Sequence, residues 1–495
     1  LKKILKIYKY FFVIIVIFIY GCNSSKNENF SDKDSIIARI GDYIILKNEF
    51  IQRAEYVIRP AYCNSNNNIH KQIVLNSLVA EKLLAIEGEL LFNENIFSYY
   101  LDGLKFQSMR EKLYYSKSKY EDIDLIELDD YLETAEKTYI LSFISLPKKS
   151  TSDTLLDLVH SADFVNKLFQ SNKLETKEIS FFNENNFTLN KAIFSKKINK
   201  GDIIGPVSLD DGSLFLMRVE GWKAQRRLSE MSQKTYIKNV KDHLLNLKKH
   251  ALYSNYIHSI MQNKVLEFNK VPFKKLIENL YSEMVNKEKN KKTLFKKAIW
   301  DENKLVLNSQ YDLINIEDDE IIFIFDGIEW NMKQLKNIIK THPLVFRENQ
   351  ISKFFFPEAV KNAIADLIRD YYLTQEAYNL NYDQDPYINQ YITMWEHHFI
   401  ASSMKSKLLE SKNTNIRDID YLNPIVKDLF KKYDNQIYID LDIFESINLT
   451  SIPMQVTNKN AAYQSPIPNF PVITDMYKLD YGKKLIIDNY YLNNE

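Results

Sequence analysis

Apolar residues fall into two periods along the chain. Over 36–46 (IIARIGDYIIL), two short apolar runs flank the turn pair Gly41-Asp42 and predict strand, turn, strand. Lys47-Asn48-Glu49-Phe50 then opens a helix that runs to about Tyr56. Residues 60–68 (PAYCNSNNN) carry loop chemistry. Over 69–92 the spacing becomes helical, with Ile73, Leu75, Leu78, Val79, Leu83, Leu84 and Ile86 on one broad face. Further helices are expected over 94–119 and 128–137.

Residues 138–222 switch more often. TYILSFISL (138–146) reads as a strand, 154–170 as an amphipathic helix, 177–182 as a strand and 190–194 as a short turn or helix. An extended segment over 201–207, a turn over 209–212 and a closing strand over 214–219 (LFLMRV) follow. A long charged helix is expected over 225–265, and 266–300 is mixed.

The opening pattern then returns. IIFIFDGIEW (321–330) is strand, Asp-Gly turn, strand; a helix starts at Asn331 and a second helical run covers 355–380. LNSLVAEKLLAIEG (75–88) lies over IADLIRDYYLTQEA (364–377), which pairs Leu78 with Leu367, Glu81 with Asp370 and Leu84 with Leu373. The ordered recurrence of strand, turn, helix, loop, helix indicates an internal repeat, with Gly41 and Gly327 marking its turn. Near the end, 437–441 reads as a strand. Pro453, Pro466, Pro468 and Pro471 then mark an extended arm that is expected to lie against the body.

Composition sharpens this picture. Only 10 of 495 residues are glycine, so backbone cradles for phosphates are not expected, and no G-x-G-x-x-G, G-x-x-x-x-G-K-[ST] or G-x-S-x-G occurs. Four of those glycines fall between 201 and 221, which marks 138–222 as the compact α+β unit of a mainly α chain. Lys+Arg and Asp+Glu both number 65, a balance that argues against a dedicated nucleic-acid binder. Two cysteines are too few for a disulfide framework or a CxxC zinc site.

The first residues carry targeting chemistry. Lys2, Lys3, Lys6 and Lys9 precede an apolar run over 10–20, followed by Gly21-Cys22 and a polar stretch. This reads as an export signal too short to anchor as a stable membrane span. Ile19-Tyr20-Gly21-Cys22 resembles a bacterial lipobox, which implies lipidation of Cys22, a membrane-anchored protein facing the periplasm, and a tether over 23–35. Cys63 is then the one free thiol and is expected to be structural.

IIARIGDYIILKNEF with VLNSLVAEKLLAIEG resembles the N-terminal module of SurA/PrsA-type periplasmic foldases. KAIFSKKINKGDIIGPVSLDDGSLFLMRVEGW (191–222) is similar to a parvulin-type (PpiC) peptidyl-prolyl isomerase domain. The resemblance implies a mainly α protein with a small α+β parvulin-like domain and two SurA-like helical modules. On this reading 1–22 is the signal with lipobox, 23–35 the tether and 36–137 the first module. The parvulin-like domain is 138–222, the long helix and connector 223–310, the second module 311–412, and the strand with its proline-bearing arm 413–495.

In that isomerase family an apolar pocket takes the proline ring, with two histidines behind it. Those histidines fall here at Phe143 and Leu214, and the region's one histidine, His160, is on a predicted helix. The resemblance therefore implies a domain without catalytic residues, whose apolar cleft would draw on Phe143, Phe181, Phe182, Phe194, Leu214 and Met217. The function implied is an ATP-independent foldase that binds unfolded or nascent exported proteins, with no cofactor, metal or nucleic acid. An active prolyl isomerase and a structural envelope lipoprotein are the alternatives. His243, His250 and His258 share a helix face but have no convergent partners, and adjacent His397 and His398 point about 100° apart, which suits two environments rather than one ion.

Overall fold

The computed structural model describes residues 35–89, 94–120, 122–146, 176–208, 214–224, 230–282, 316–342, 344–346, 352–412, 415–451 and 466–478, with Lys167, Phe169 and Leu174 as isolated positions. The lipobox with Cys22 and most of the helix expected over 154–170 lie outside them.

In chain order the elements are β1 (Ile36–Ile40), β2 (Tyr43–Leu46), α1 (Lys47–Glu55), α2 (Asn68–Gly88), α3 (Glu94–Lys117) and α4 (Leu125–Thr134). Then come β3 (Lys137–Leu146), β4 (Thr176–Ser180), α5 (Phe187–Phe194), β5 (Ile203–Ser208), β6 (Leu214–Ala224) and α6 (Glu230–Met261). β7 (Leu266–Phe268), a helix over 270–282 (α7), β8 (Ile321–Phe325), β9 (Ile328–Asn331), α8 (Met332–Thr341) and α9 (Phe356–Asn379) follow. The last are α10 (Pro386–Glu410), α11 (Asp418–Lys432), β10 (Ile437–Ile439) and α12 (Leu441–Ser446). Among the described residues the protein is mainly α with three small antiparallel sheets, in the orders β10-β1-β2, β4-β3-β6-β5 and β7-β8-β9.

The chain forms two compact units. The first combines Leu1–Phe97 with Tyr391–Thr457 and Pro466–Glu495; the second is Ser98–Gln390 with Asn458–Ser465. In the first unit β10 arrives from the far end of the chain to complete the β1-β2 hairpin. Ile37, Ile40, Phe50, Leu75 and Leu78 fill its core with no exposed surface, and Phe470 and Ile473 of the proline-bearing arm enter the same cluster. Burial of such side chains stabilises by roughly 1.5–3 kcal/mol each. Helix α2 approaches α10 so closely that a Cβ on Gly88 would stand 2.9 Å from Ile400 Cγ2.

The repeat extends to individual main-chain bonds. Asp440 N–H donates to Ile37 O (2.8 Å) in the first copy, as Asn269 N–H does to Ile322 O (3.0 Å) in the second. Gly41 N–H donates to Gln436 O and Asp326 N–H to Val265 O, both at 3.0 Å. Both hairpins carry a register shift at the same place, between Ile36 and Ala38 and between Ile321 and Phe323. Gly41 and Gly327 do mark the same turn, but they occupy successive positions. The counterpart of Gly41 (φ +58°) is Asp326 (φ +53°), followed by Gly327 (φ +77°). Two positive φ values in a two-residue hairpin turn suit an Asp-Gly pair.

In the second unit β3 pairs with both β4 and β6, and β5 closes the other edge. One face packs against α4, α5 and α6 through Tyr131, Phe194, Val240 and Leu244. The other face carries Leu216 with Ile144 and Phe169.

Candidate functional site

Strand alternation sorts the residues expected to line a cleft. Phe143 stands opposite Met217 and shares its face. Leu214 is three positions from Met217 on β6, so its side chain is on the opposite face. The structure therefore does not bring Phe143 and Leu214 together. On β6 the residues sharing Phe143's face are Met217, directly opposite it, and Phe215, opposite Ser145. Phe181, Phe194 and Met217 have no exposed surface and form one cluster under α4, α5 and α6, with Phe143 packed at its margin. Phe182 is 38% exposed, and Leu214 is buried.

The structure adds one imidazole to this neighbourhood. His243 on α6 sets its ring 4.9 Å from Phe181 and 5.6 Å from Phe182. Burial lowers its pKa, partly offset by the backbone carbonyls of Glu184 and Phe181, while Nε2 has no partner. Asn190, fully buried, ties α5 back to the turn after β4 by donating to the Phe181 and Glu184 carbonyls at 3.0 and 3.2 Å.

A cluster of buried charged side chains lies in the first unit. Arg53 of α1 forks onto Glu81 of α2 at 3.0 and 2.9 Å, and both side chains are buried. Glu81 also accepts from His398 Nδ1 at 2.7 Å. Burial alone would raise the Glu81 pKa, but Arg53 and His398 outweigh it and hold the carboxyl well below its usual range. Lys82 pairs with Glu49 at 2.8 Å and approaches His397 Nδ1 at 3.2 Å. The His397 ring stacks on Tyr43 at 3.8 Å. Its pKa falls to about 3, first because it is desolvated and then because Lys82 is beside it. The adjacent histidines thus occupy two different environments.

The same unit reads the returning C-terminal chain through its carbonyls. Lys71 donates to Phe444 O and Ile447 O at 2.9 Å, at the end of α12. Arg59 donates to Thr450 O at 2.7 Å, and Glu55 accepts from Thr450 N–H at 2.7 Å. Farther along, Tyr391 Oη and Trp395 Nε1 donate to Pro466 O at 2.7 and 3.3 Å. Arg53 donates to Asn469 O at 2.7 Å, Ser77 to Thr474 O at 3.1 Å and Asn76 to Met476 O at 2.6 Å. An open groove of about 260 Å³ borders this arm, lined by Lys47, Asn48, Ile51, Gln52, Tyr56 and Ile467. These donors are scattered through α1, the loop after it, α2 and α10 with no motif. The one sequence signal for the arm is its prolines.

Cys63 is fully buried, and burial pushes its thiol up to about 12, which makes it a poor nucleophile. Among the described residues no three His, Cys, Asp or Glu side chains converge on a metal position, and no helix is long and apolar enough to cross a membrane. Compared with family models and with characterised proteins, the chain gives no match.

Proposed function

We propose that the chain is an ATP-independent holder of unfolded exported proteins, anchored to a membrane through lipid on Cys22 and facing the periplasm. The two SurA-like modules provide its binding surfaces, and its parvulin-like domain does not catalyse isomerisation. The observation that carries this reading is the repeat. Along the chain, two strand–turn–strand–helix modules with the same main-chain bonds precede and follow the strands of a four-stranded antiparallel sheet. That is the order of elements which the resemblance to periplasmic foldases implies.

The absence of catalysis is supported by side chains. Phe143 and Leu214, the positions at which the resemblance puts the histidine pair, are both apolar and cannot exchange a proton. Holding an unfolded chain requires weak, exchangeable contacts rather than a reactive group. Residues 23–495 are expected to suppress aggregation of an unfolded client without ATP and to leave the rate of a proline-peptide isomerisation assay unchanged. Failure to suppress aggregation sinks the reading.

His243 favours a second reading, a working isomerase with an imidazole supplied from α6 instead of the sheet. Measurable isomerisation that disappears in His243→Ala would establish it.

A further inference from the structure

The arm is held in an unusual way. Residues 466–478 form no strand or helix, yet Pro468, Phe470, Pro471, Ile473 and Thr474 are buried. Prolines 466, 468 and 471 have no N–H, so this stretch offers mainly carbonyls. The surface facing it offers donors: the Tyr391 hydroxyl, the Trp395 indole N–H and the Arg53 guanidinium. Aromatic donors that grip the carbonyls of a proline-bearing extended segment are a known mode of peptide recognition. Beside the arm, an open groove along α1 is lined in part by Ile467.

We propose that Tyr391, Trp395 and Arg53 form a binding site for extended, proline-containing peptide segments, which the chain's own Pro466–Pro471 stretch occupies as an internal competitor. This deepens the holder reading by naming the segment class it would take. It rests on that reading only in calling the external occupant a client. The specificity is physical. A segment rich in prolines leaves few donors unpaired when buried against a donor-lined surface, whereas an ordinary strand would bury N–H groups with nothing to accept them.

Two experiments on the full chain test it. First, native-state hydrogen exchange is followed at Asn469, Phe470 and Ile473 and at the β1 amides. The arm amides are expected to exchange at least tenfold faster than β1, through local opening. Exchange of both at one common rate makes the arm a fixed element and overturns the proposal. Second, a fluorescent peptide of residues 465–472 is titrated onto the unaltered chain, Ile467→Ser, and Ile467→Ser with Tyr391→Phe. Loosening the arm is expected to tighten peptide binding about tenfold. Loss of the Tyr391 donor should weaken it again by about threefold to tenfold, the effect of one hydrogen bond. Equal affinity in all three, or a gain that survives Tyr391→Phe, overturns the site. Peptide binding without suppression of client aggregation would refute the holder reading and leave the site standing. Suppression without peptide binding would refute the site alone.

Discussion

The two copies of the strand–turn–strand–helix module share a backbone and differ in what surrounds their long helix. In the first copy, α2 is buried on every side from Ile73 to Ala85. In the second, α9 keeps a face exposed at Glu358, Lys361, Ala365 and Gln375. The polar residues follow this difference. Glu49, Arg53, Glu81 and Lys82 of the first copy correspond to Gln334, Ile338, Asp370 and Tyr371 in the second. Asp366 and Asp370 can pair with Arg369 at a half-exposed surface. Glu81 and Lys82 have no water to turn to, so each finds an opposite charge, and each charge is joined by a histidine. A repeat can thus keep its main-chain geometry while enclosure alone decides whether its charges must be paired.

The largest effect should come from breaking one enclosed pair. Glu81→Ala leaves Arg53 buried without its carboxylate and should cost about 3–5 kcal/mol in denaturant unfolding. Arg53→Ile with Glu81→Leu, which replaces the buried pair by apolar side chains and brings in the isoleucine of the second copy, should cost much less than either single change. A double-mutant cycle checks this, and additive costs would break the comparison.

Acid should act through the buried histidines of both units. His397 in the first unit and His342 in the second are each held to about 3, by burial and then by a neighbouring cation, Lys82 or Arg110. Between pH 6.5 and 3 the unfolded chain binds these protons and the folded chain does not. Stability therefore falls as pH drops below 6.5. At about 1.4 kcal/mol per pH unit for each histidine, the loss reaches about 2 kcal/mol each by pH 5. Thermal melts from pH 7 to 5 should show the slope, and His397→Gln should flatten it for the first unit alone.

Helix starts give a smaller contrast. Asn331 closes a capping box with Gln334, whereas α1 begins at Leu46 with no side-chain cap, its Glu49 being engaged with Lys82. Asn331→Ala should cost about 1 kcal/mol, and Leu46→Ala should cost nothing through capping. Smallest of all, Asp326→Gly should change unfolding free energy by less than about 1 kcal/mol, since Asp tolerates the left-handed region better than most residues.

Much of the fold was legible in the chain. The hairpins at Gly41-Asp42 and Asp326-Gly327, the helix face from Ile73 to Ile86, the long helix α6 and the order of elements from β3 to β6 all follow from local period and turn chemistry. Three things were not. β7 is only Leu-Glu-Phe, too short to show alternation, and α11 and α12 were hidden in a segment read as strand and arm. The Arg53–Glu81 fork joins residues whose approach depends on how α1 packs on α2. The faces of Phe143 and Leu214 required the pairing register of β3 with β6, because one step along a strand reverses a side chain.

The sequence by itself determined the local elements and the repeat, since periodicity and turn residues are local. Only the tertiary structure decided that β10 and the proline-bearing arm return to complete the first module, that its charges are enclosed, and that Tyr391, Trp395 and Arg53 converge on one extended segment. Burial is settled by which distant segments exclude water together. No window along the chain contains both partners.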